Sequence, residues 1–330
     1  MKLPNTLISS LIERARENPG SVILPEGDDS RVHEAARIIL DWGVMKSVTL
    51  ITTTGSADST HANSRVRNVS HKDPTLIQKT IKVVTENLER RRKPVDLDSI
   101  NRVAANPLYQ AGACLSLGEA DCVVAGCVAT TADVIRAAIG TIGLAPGINT
   151  VSGSFIMNRE RDGRDETFIF ADCGVVIEPT LNQLVDIASG SADTFKKITR
   201  EEPVVAFLSF STKGSADHPA AIKMRDAASR FEELHPGIAS DGELQFDAAY
   251  VASVGIRKAP GSAVPGKANC FVFPDLGAGN IAYKITQRLG DFGAYGPILQ
   301  GLAKPYSDLS RGASADDIAI SCLINLLRAR

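Results

Sequence analysis

One pattern recurs along the chain. A short apolar run ends in a polar loop holding glycine or proline, and apolar residues at helical spacing follow. Ser21-Val22-Ile23-Leu24 leads into residues 25–30, then an amphipathic stretch over 31–42. Residues 121–126 lead into Ala129-Thr130-Thr131-Ala132-Asp133 and a helical pattern over 134–139. Residues 204–210 lead into Ser211-Thr212-Lys213-Gly214-Ser215 and a helix through Phe231. Residues 269–273 lead into a loop over 274–280 and a helix over 281–289. Strands alternating with helices predict an α/β chain of mainly parallel sheets wound with helices on both faces. Ligands bind such sheets beyond the carboxyl ends of the strands, where these loops lie. A last helix starts after Ser314, with Ile318, Leu323, Ile324 and Leu327 as its apolar stripe and Arg328 and Arg330 at its negative end. Breaks are expected at Ala145-Pro146-Gly147 and from Gly290 through Gly296-Pro297, and residues 56–72 read as polar and irregular.

Length and charge narrow this picture. The 330 residues suggest about two domains. A net charge of −2, from 36 basic and 38 acidic side chains, excludes a general nucleic-acid binder, which would carry a basic surplus. The chain is 44% apolar with only 5% aromatics and one tryptophan, Trp42, which suits an α/β enzyme core built on small aliphatics. The longest uncharged run, between Arg136 and Arg159, is broken by four glycines and a proline, so no membrane span is expected there. The opening Met1-Lys2-Leu3-Pro4-Asn5 does not read as a secretory leader. Six cysteines without CxxC spacing read as reduced core residues of a cytoplasmic protein. The histidines form no metal spacing, and neither a metal nor a bound cofactor is expected.

Five segments invite a chemical reading. In Ser310-Arg311-Gly312-Ala313-Ser314, Gly312 lets the backbone approach a ligand, Ser310 offers a hydroxyl and Arg311 a planar donor fork. The helix that follows adds a positive end. Two readings stand side by side here: an anion-binding loop, or a capping box made by Ser314 and Asp317 with a solvated Arg311. Thr130-Thr131-Ala132-Asp133 with Arg136 repeats the design and the same pair of readings. Arg90-Arg91-Arg92-Lys93 is either a solvated helix end or a landing point for a polyanion. Ser211-Thr212-Lys213-Gly214-Ser215 has the wrong order for a P-loop. Gly277-x-Gly279-x-x-Ala282 matches a permissive dinucleotide fingerprint, but no acid-ended strand follows about 20 residues on.

Taken together these segments resemble phosphate acetyltransferases (phosphotransacetylases). The resemblance rests on Asp308-Leu309-Ser310-Arg311-Gly312-x-Ser314-x-x-Asp317-Ile318, Phe273-Pro274-Asp275-Leu276 with Gly279-Asn280-Ile281-Ala282-Tyr283-Lys284, and Ala294-Tyr295-Gly296-Pro297. Ser211–Ser215, Asp241-Gly242-Glu243-Leu244-Gln245 and Lys258-Ala259-Pro260-Gly261-Ser262 add to it. It is densest over 167–318 and thin over 52–108. It implies two α/β/α domains of isocitrate/isopropylmalate dehydrogenase-like architecture, with the active site in a cleft between them. The first domain would span 1–147 plus 295–330, the second 148–294.

The resemblance further implies reversible acetyl transfer between acetyl phosphate and coenzyme A, with both as substrates and no cofactor, in a homodimer. Asp317 matches the base for the coenzyme A thiol, Arg311 the charge-binding residue, and Ser310 the donor to the acyl phosphate. Arg136 and Arg90 match arginines that bind coenzyme A, with Arg91 or Arg92 open as substitutes for Arg90. Thr130, Thr131, Ser211, Lys258, Asn280, Tyr295 and Ser314 complete the substrate contacts. A carboxyl of pKa about 3.9 facing a thiol of about 8.5 is mismatched by roughly 6 kcal/mol for full proton transfer. Either burial raises Asp317, or transfer is concerted with attack. The family often carries cysteine where this chain has Ala313 and Ala278, and a His-Ser-Ser run where it has Ala129-Thr130-Thr131. An acetyl-cysteine at either position is thereby excluded, and no histidine is assigned to catalysis. Alternatives are the same chemistry on a propionyl or butyryl group, an NAD-dependent dehydrogenase using Gly277-x-Gly279, or a non-enzymatic scaffold.

Overall fold

The computed structural model describes residues 6–54 and 64–330. The opening five residues and part of the stretch read as irregular, 55–63 with His61, lie outside them. Contacts divide the chain into two compact units, Met1–Pro146 with Leu302–Arg330, and Gly147–Gly301.

The first unit begins α1 (Thr6–Arg16), β1 (Gly20–Leu24), α2 (Ser30–Asp41), β2 (Met45–Thr52), β3 (Val66–Ser70), α3 (Pro74–Arg90), α4 (Leu97–Ala104), α5 (Pro107–Ser116), β4 (Cys122–Val124) and α6 (Thr131–Thr141). The second unit holds β5 (Ser152–Arg161), β6 (Arg164–Ala171), α7 (Leu181–Thr199), β7 (Val204–Leu208), α8 (Pro219–Leu234), β8 (Ala239–Leu244), α9 (Phe246–Tyr250), α10 (Ala252–Lys258), β9 (Cys270–Val272), α11 (Leu276–Leu289) and β10 (Gly293–Gln300). The chain then re-enters the first unit with β11 (Tyr306–Ser307) and α12 (Ala315–Arg328).

In the first unit a five-stranded sheet runs β11-β4-β1-β2-β3, with every neighbour pair parallel. A parallel sheet is covered on both faces, so its inner strands are apolar throughout. Val22, Ile23, Leu24, Cys122, Val123 and Val124 are all buried. Helices α1, α2 and α12 pack together, as do α3, α5 and α6, and the sheet contacts both groups. Four of its helices start where a short polar side chain accepts from a free backbone N–H: Asp29 caps α2, Asp73 α3, Thr130 α6 and Ser314 α12.

The second unit's sheet runs β10-β5-β6-β9-β7-β8, with β5 antiparallel to both its neighbours and the remaining pairs parallel. Its core concentrates the chain's few aromatics: Phe155, Phe170, Phe271 and Phe273 are buried, with Phe168, Phe292 and Tyr283 against them. Each fully buried large side chain in this cluster contributes about 1.5–3 kcal/mol.

Three expectations need correction. Return to the first unit falls at Gly301/Leu302, not Tyr295, because β10 pairs with β5 from Gly293 to Gln300. Val66–Ser70 is a strand, held parallel to β2, although it reads as irregular. And α11 starts at Leu276, inside the expected loop, because Asp275 caps it. Gly279 then lies against the backbone of Asp172, where a Cβ would sit 2.2 Å from a carbonyl oxygen.

Candidate active site

The strand order of the first sheet reverses between β4 and β1, and a crevice opens at such a switch point. The loops after β1, β4 and β11 lie side by side there. Glu26, after β1, reaches into the loop after β4. Its Oε2 accepts from Gly126 N and Cys127 N, each at 2.9 Å, and from Cys127 Sγ at 2.9 Å. Its Oε1 accepts from Val128 N at 3.0 Å and Ala129 N at 2.7 Å. Successive N–H groups converging on one point form an anion-binding nest, and here a side chain fills it.

The loop after β11 carries the richest chemistry. Asp308 at its base is 1% exposed, and Oδ2 accepts from Thr131 Oγ1 at 2.6 Å. Burial pushes the Asp308 carboxyl up to about 6, against the opposing pull of the Thr131 hydroxyl. Its Oδ1 lies against Gly126, whose φ of +107° and lack of Cβ let the two loops meet. Beyond Asp308 the loop turns outward, and Ser310, Arg311, Gly312 and Ser314 are exposed. Ser310 Oγ accepts from Gly312 N at 3.3 Å, and Arg311 makes no ion pair among the described residues. The capping box is present: Asp317 Oδ2 accepts from Ser314 N at 2.9 Å and Ser314 Oγ at 2.8 Å, while Asp317 N donates to Ser314 Oγ at 3.2 Å. Asp317 is exposed, so burial, one of the two routes to a usable base, is not present. The cap and an anion-facing loop are compatible, because the cap leaves Arg311 and the Ser310 hydroxyl facing solvent.

Thr131 thus joins the loop of Ser310 and Arg311 through Asp308. Thr130 caps α6, its hydroxyl donating to Asp133 Oδ2 at 2.7 Å. Arg136 is exposed and pairs with Asp133. The side chain of Asn87 on α3 donates to Ile139 O on α6 at 3.2 Å. Arg90 and Arg136 each lie about one turn from that bond. Arg90, Arg91 and Arg92 are exposed and form no ion pair among the described residues.

Within the second unit the expected contacts divide. Ser211 is fully buried, donating to Glu243 Oε1 at 2.9 Å and accepting from Ala216 N at 3.0 Å. Its hydroxyl is enclosed and organises the loop after β7. Lys258 pairs with Asp247 at 2.9 Å and also donates to Gln245 Oε1 at 3.0 Å. Asn280 donates to Cys173 O at 3.1 Å. Tyr295 is half-buried on β10 opposite Ile156. The dinucleotide-like glycines have other work. Asp275 Oδ1 accepts from Ala278 N at 2.8 Å, placing a carboxylate where a pyrophosphate would sit.

Sequence reasoning passed over Glu26, Asp308 and Arg31, the last of which sends its guanidinium to the loop of Arg311. Most of their partners are backbone atoms distant in sequence, and residue-type patterns do not display those. Glu26 lies in the polar loop 25–30 that follows the first apolar run. Among the described residues no group of three or more His, Cys, Asp or Glu side chains is placed to hold a metal ion, and no helix is long and apolar enough to cross a membrane.

Residues 6–326 match the family model described as "Phosphate acetyl/butaryl transferase". The chain is 42% identical over 322 residues to a phosphate acetyltransferase of Paracoccus denitrificans, covering 96% of this chain and 98% of that one. It is 41% identical over 319 residues to one of Thermoanaerobacterium thermosaccharolyticum, covering 95% and 96%. A solved phosphotransacetylase from Streptococcus pyogenes superposes with a TM-score of 0.88 at 39% identity, covering 100% of this chain and 99% of that one.

Proposed function

The chain belongs to the phosphate acetyl/butaryl transferase family, and from that membership we infer that it is a phosphate acetyltransferase. It is an acyltransferase that interconverts acetyl phosphate plus coenzyme A with acetyl-CoA plus phosphate. The observation that carries this reading is the end-to-end identity of 42% and 41% to phosphate acetyltransferases, with Ser310, Arg311 and Asp317 gathered at one loop-helix junction.

The coenzyme A thiol attacks the acetyl carbonyl carbon. A C–S bond forms, the C–O bond to phosphate breaks, and the thiol proton passes to Asp317. An ordinary carboxyl and a free thiol are mismatched by roughly 6 kcal/mol for full proton transfer, and Asp317 is exposed. Transfer is therefore concerted with attack. Negative charge grows on the departing phosphate, and the guanidinium of Arg311 and the hydroxyl of Ser310 receive it. Arg311 makes no ion pair among the described residues, so meeting phosphate breaks none of those. Arg136 and Arg90 bind the phosphates of coenzyme A. For Arg136 this means exchanging an exposed pair with Asp133, whose loss costs about 0–1 kcal/mol. Thr130, Thr131 and Ser314 shape the same unit's loops, and Lys258, Asn280 and Tyr295 are further substrate contacts on the second unit.

A homodimer fits the surface of α11. That helix buries only Gly279 and exposes Ile281 (61%), Ile285 (53%) and Leu289 (84%) on one stripe. The six cysteines, all free and buried, fit a reducing cytoplasmic compartment.

Mixing the purified protein with acetyl phosphate and coenzyme A and following thioester formation tests the reading, with propionyl and butyryl phosphate alongside. Acetyl phosphate is expected to be turned over. No thioester from any of the three, with NAD reduced by a hydroxy acid, would overturn it.

A further inference from the structure

Arg31 is the second residue of α2, at the junction that follows β1. A guanidinium carries five N–H donors in a rigid planar fork, and the five hydrogen bonds of Arg31 account for all of them. Nε donates to Asp29 Oδ1 at 3.0 Å and Nη2 to Asp29 Oδ2 at 2.7 Å, a bidentate pair. Nη2 also donates to Cys127 O at 2.9 Å, in the loop after β4. Nη1 donates to Arg311 O and Ala313 O, each at 2.9 Å, in the loop after β11. One side chain therefore ties together the three loops that border the switch point. The two carbonyls it takes from the last loop flank Gly312, the residue most able to move. Asp29 neutralises the charge and fixes the plane of the fork. With every donor engaged, Arg31 has none left for a substrate phosphate.

We propose that Arg31, oriented by Asp29, is a positioning residue for acyl transfer: it holds the backbone of the loop 310–313 so that the Ser310 hydroxyl and the Arg311 guanidinium are set before substrate arrives. This rests on the reading of the chain as a phosphate acetyltransferase. Exposed loops carrying glycine are mobile unless tied down, and donors aimed at developing charge act only when pre-placed. Misplacement by about 1 Å costs on the order of a hundredfold in rate. Lysine keeps the charge but offers three donors from one point, so it cannot span Asp29, Cys127 O and two further carbonyls.

The test uses the full chain as Arg31→Lys, Arg31→Ala and the milder Asp29→Asn, which keeps a helix cap. In both Arg31 variants kcat/KM for acetyl phosphate is expected to fall about a hundredfold. The KM for coenzyme A should stay within about twofold, since Arg136 and Arg90 are untouched. Asp29→Asn should fall between these and wild type. Backbone amides at 310–314 should exchange hydrogen faster in all three, and added guanidinium at millimolar concentration should restore rate to Arg31→Ala but not to Arg31→Lys. Rates within about twofold of wild type in both Arg31 variants would overturn the proposal, as would unchanged exchange at 310–314. A wild-type protein that forms no thioester would instead overturn the functional reading. The exchange measurement would still report on the loop, and Asp29→Asn serves if the Arg31 variants do not fold.

Discussion

Replacing Glu26 by glutamine should destabilise the first unit far more than an isosteric surface change. The carboxylate accepts four backbone N–H groups and the Cys127 thiol, two or three contacts on each oxygen. Glutamine converts one oxygen to an NH2. Whichever way the amide turns, two backbone N–H groups then face donors instead of an acceptor, and the other bonds lose their ionic partner. A hydrogen bond to a charged group contributes about 1.5–3 kcal/mol, and an orphaned buried donor costs about 1–3 kcal/mol. Val128 is exposed, so water takes over part of that loss. The expected net effect of Glu26→Gln is about 2–4 kcal/mol. Trp42, the chain's only tryptophan, follows α2 in the same unit, so its fluorescence in a urea titration reports that unit. Glu26→Ala empties the nest, and added acetate at ten times its dissociation constant should recover about 1.4 kcal/mol, with no such effect on wild type. A Glu26→Gln midpoint within about 0.5 kcal/mol of wild type would refute the reasoning.

Other outcomes follow from the same geometry. Burial raises Asp308 to about 6, against an unfolded value near 3.9. The folded state then holds the proton more tightly, so this contribution is full below about pH 4 and is lost as pH rises through about 6, some 3 kcal/mol in all. Asp308→Asn should flatten that slope in urea titrations, and a profile parallel to wild type would count against the burial argument. Arg311→Ala should lower kcat on the order of 10²–10³-fold with the unfolding midpoint unchanged, since its side chain carries no ion pair among the described residues. Asp317→Asn should also lose most activity while costing no more than about 1 kcal/mol of cap stability. Near-normal rates in both would remove the assigned roles. Ile285→Glu puts a charge in the α11 stripe and should give monomers by sedimentation; an unchanged mass would show that this face is not the dimer contact.

The sequence was legible where one residue's neighbours decide its state, and obscure where distant backbone does. The inner strands β1, β4, β7 and β9 show as apolar runs because both faces are covered. β3 does not, because Val66-Arg67-Asn68-Val69-Ser70 has one neighbour, β2, and only partial burial. The β5–β6 hairpin has a local signal in Asp162-Gly163 at its turn, but it breaks the helix-strand alternation seen elsewhere. Gly277 and Gly279 look like loop glycines; the close approach to Asp172 O that makes Gly279 necessary inside a helix cannot be read from spacing. At the site, Ser310, Arg311 and Asp317 were visible because they are close in sequence. Arg31 was not, since it meets its loop 280 and 282 residues away through carbonyl oxygens.

The same structure bears on whether the acetyl group ever rests on the protein. The sequence removes two candidate thiols, because Ala313 and Ala278 stand where the family resemblance implies cysteine. The remaining six cysteines are all buried and free. A nucleophilic cysteine needs a stabilised thiolate and access to the substrate. Cys127 lies nearest the loops of the switch point, but it is 2% exposed and its Sγ is spent on Glu26 Oε2. Burial, then the hydrogen bond to Glu26, push its thiol above the ordinary range. Burial does the same at Cys114, up to about 12, and at Cys122, Cys173, Cys270 and Cys322. No cysteine of this chain combines exposure with an accessible thiolate, and among the described residues Ser310 has no histidine or second base in hydrogen-bond contact to activate it. The one thiol suited to attack is the one brought by coenzyme A. For the function proposed above, the burial of the protein's own sulfur supports direct transfer with both substrates bound, independently of the two alanines.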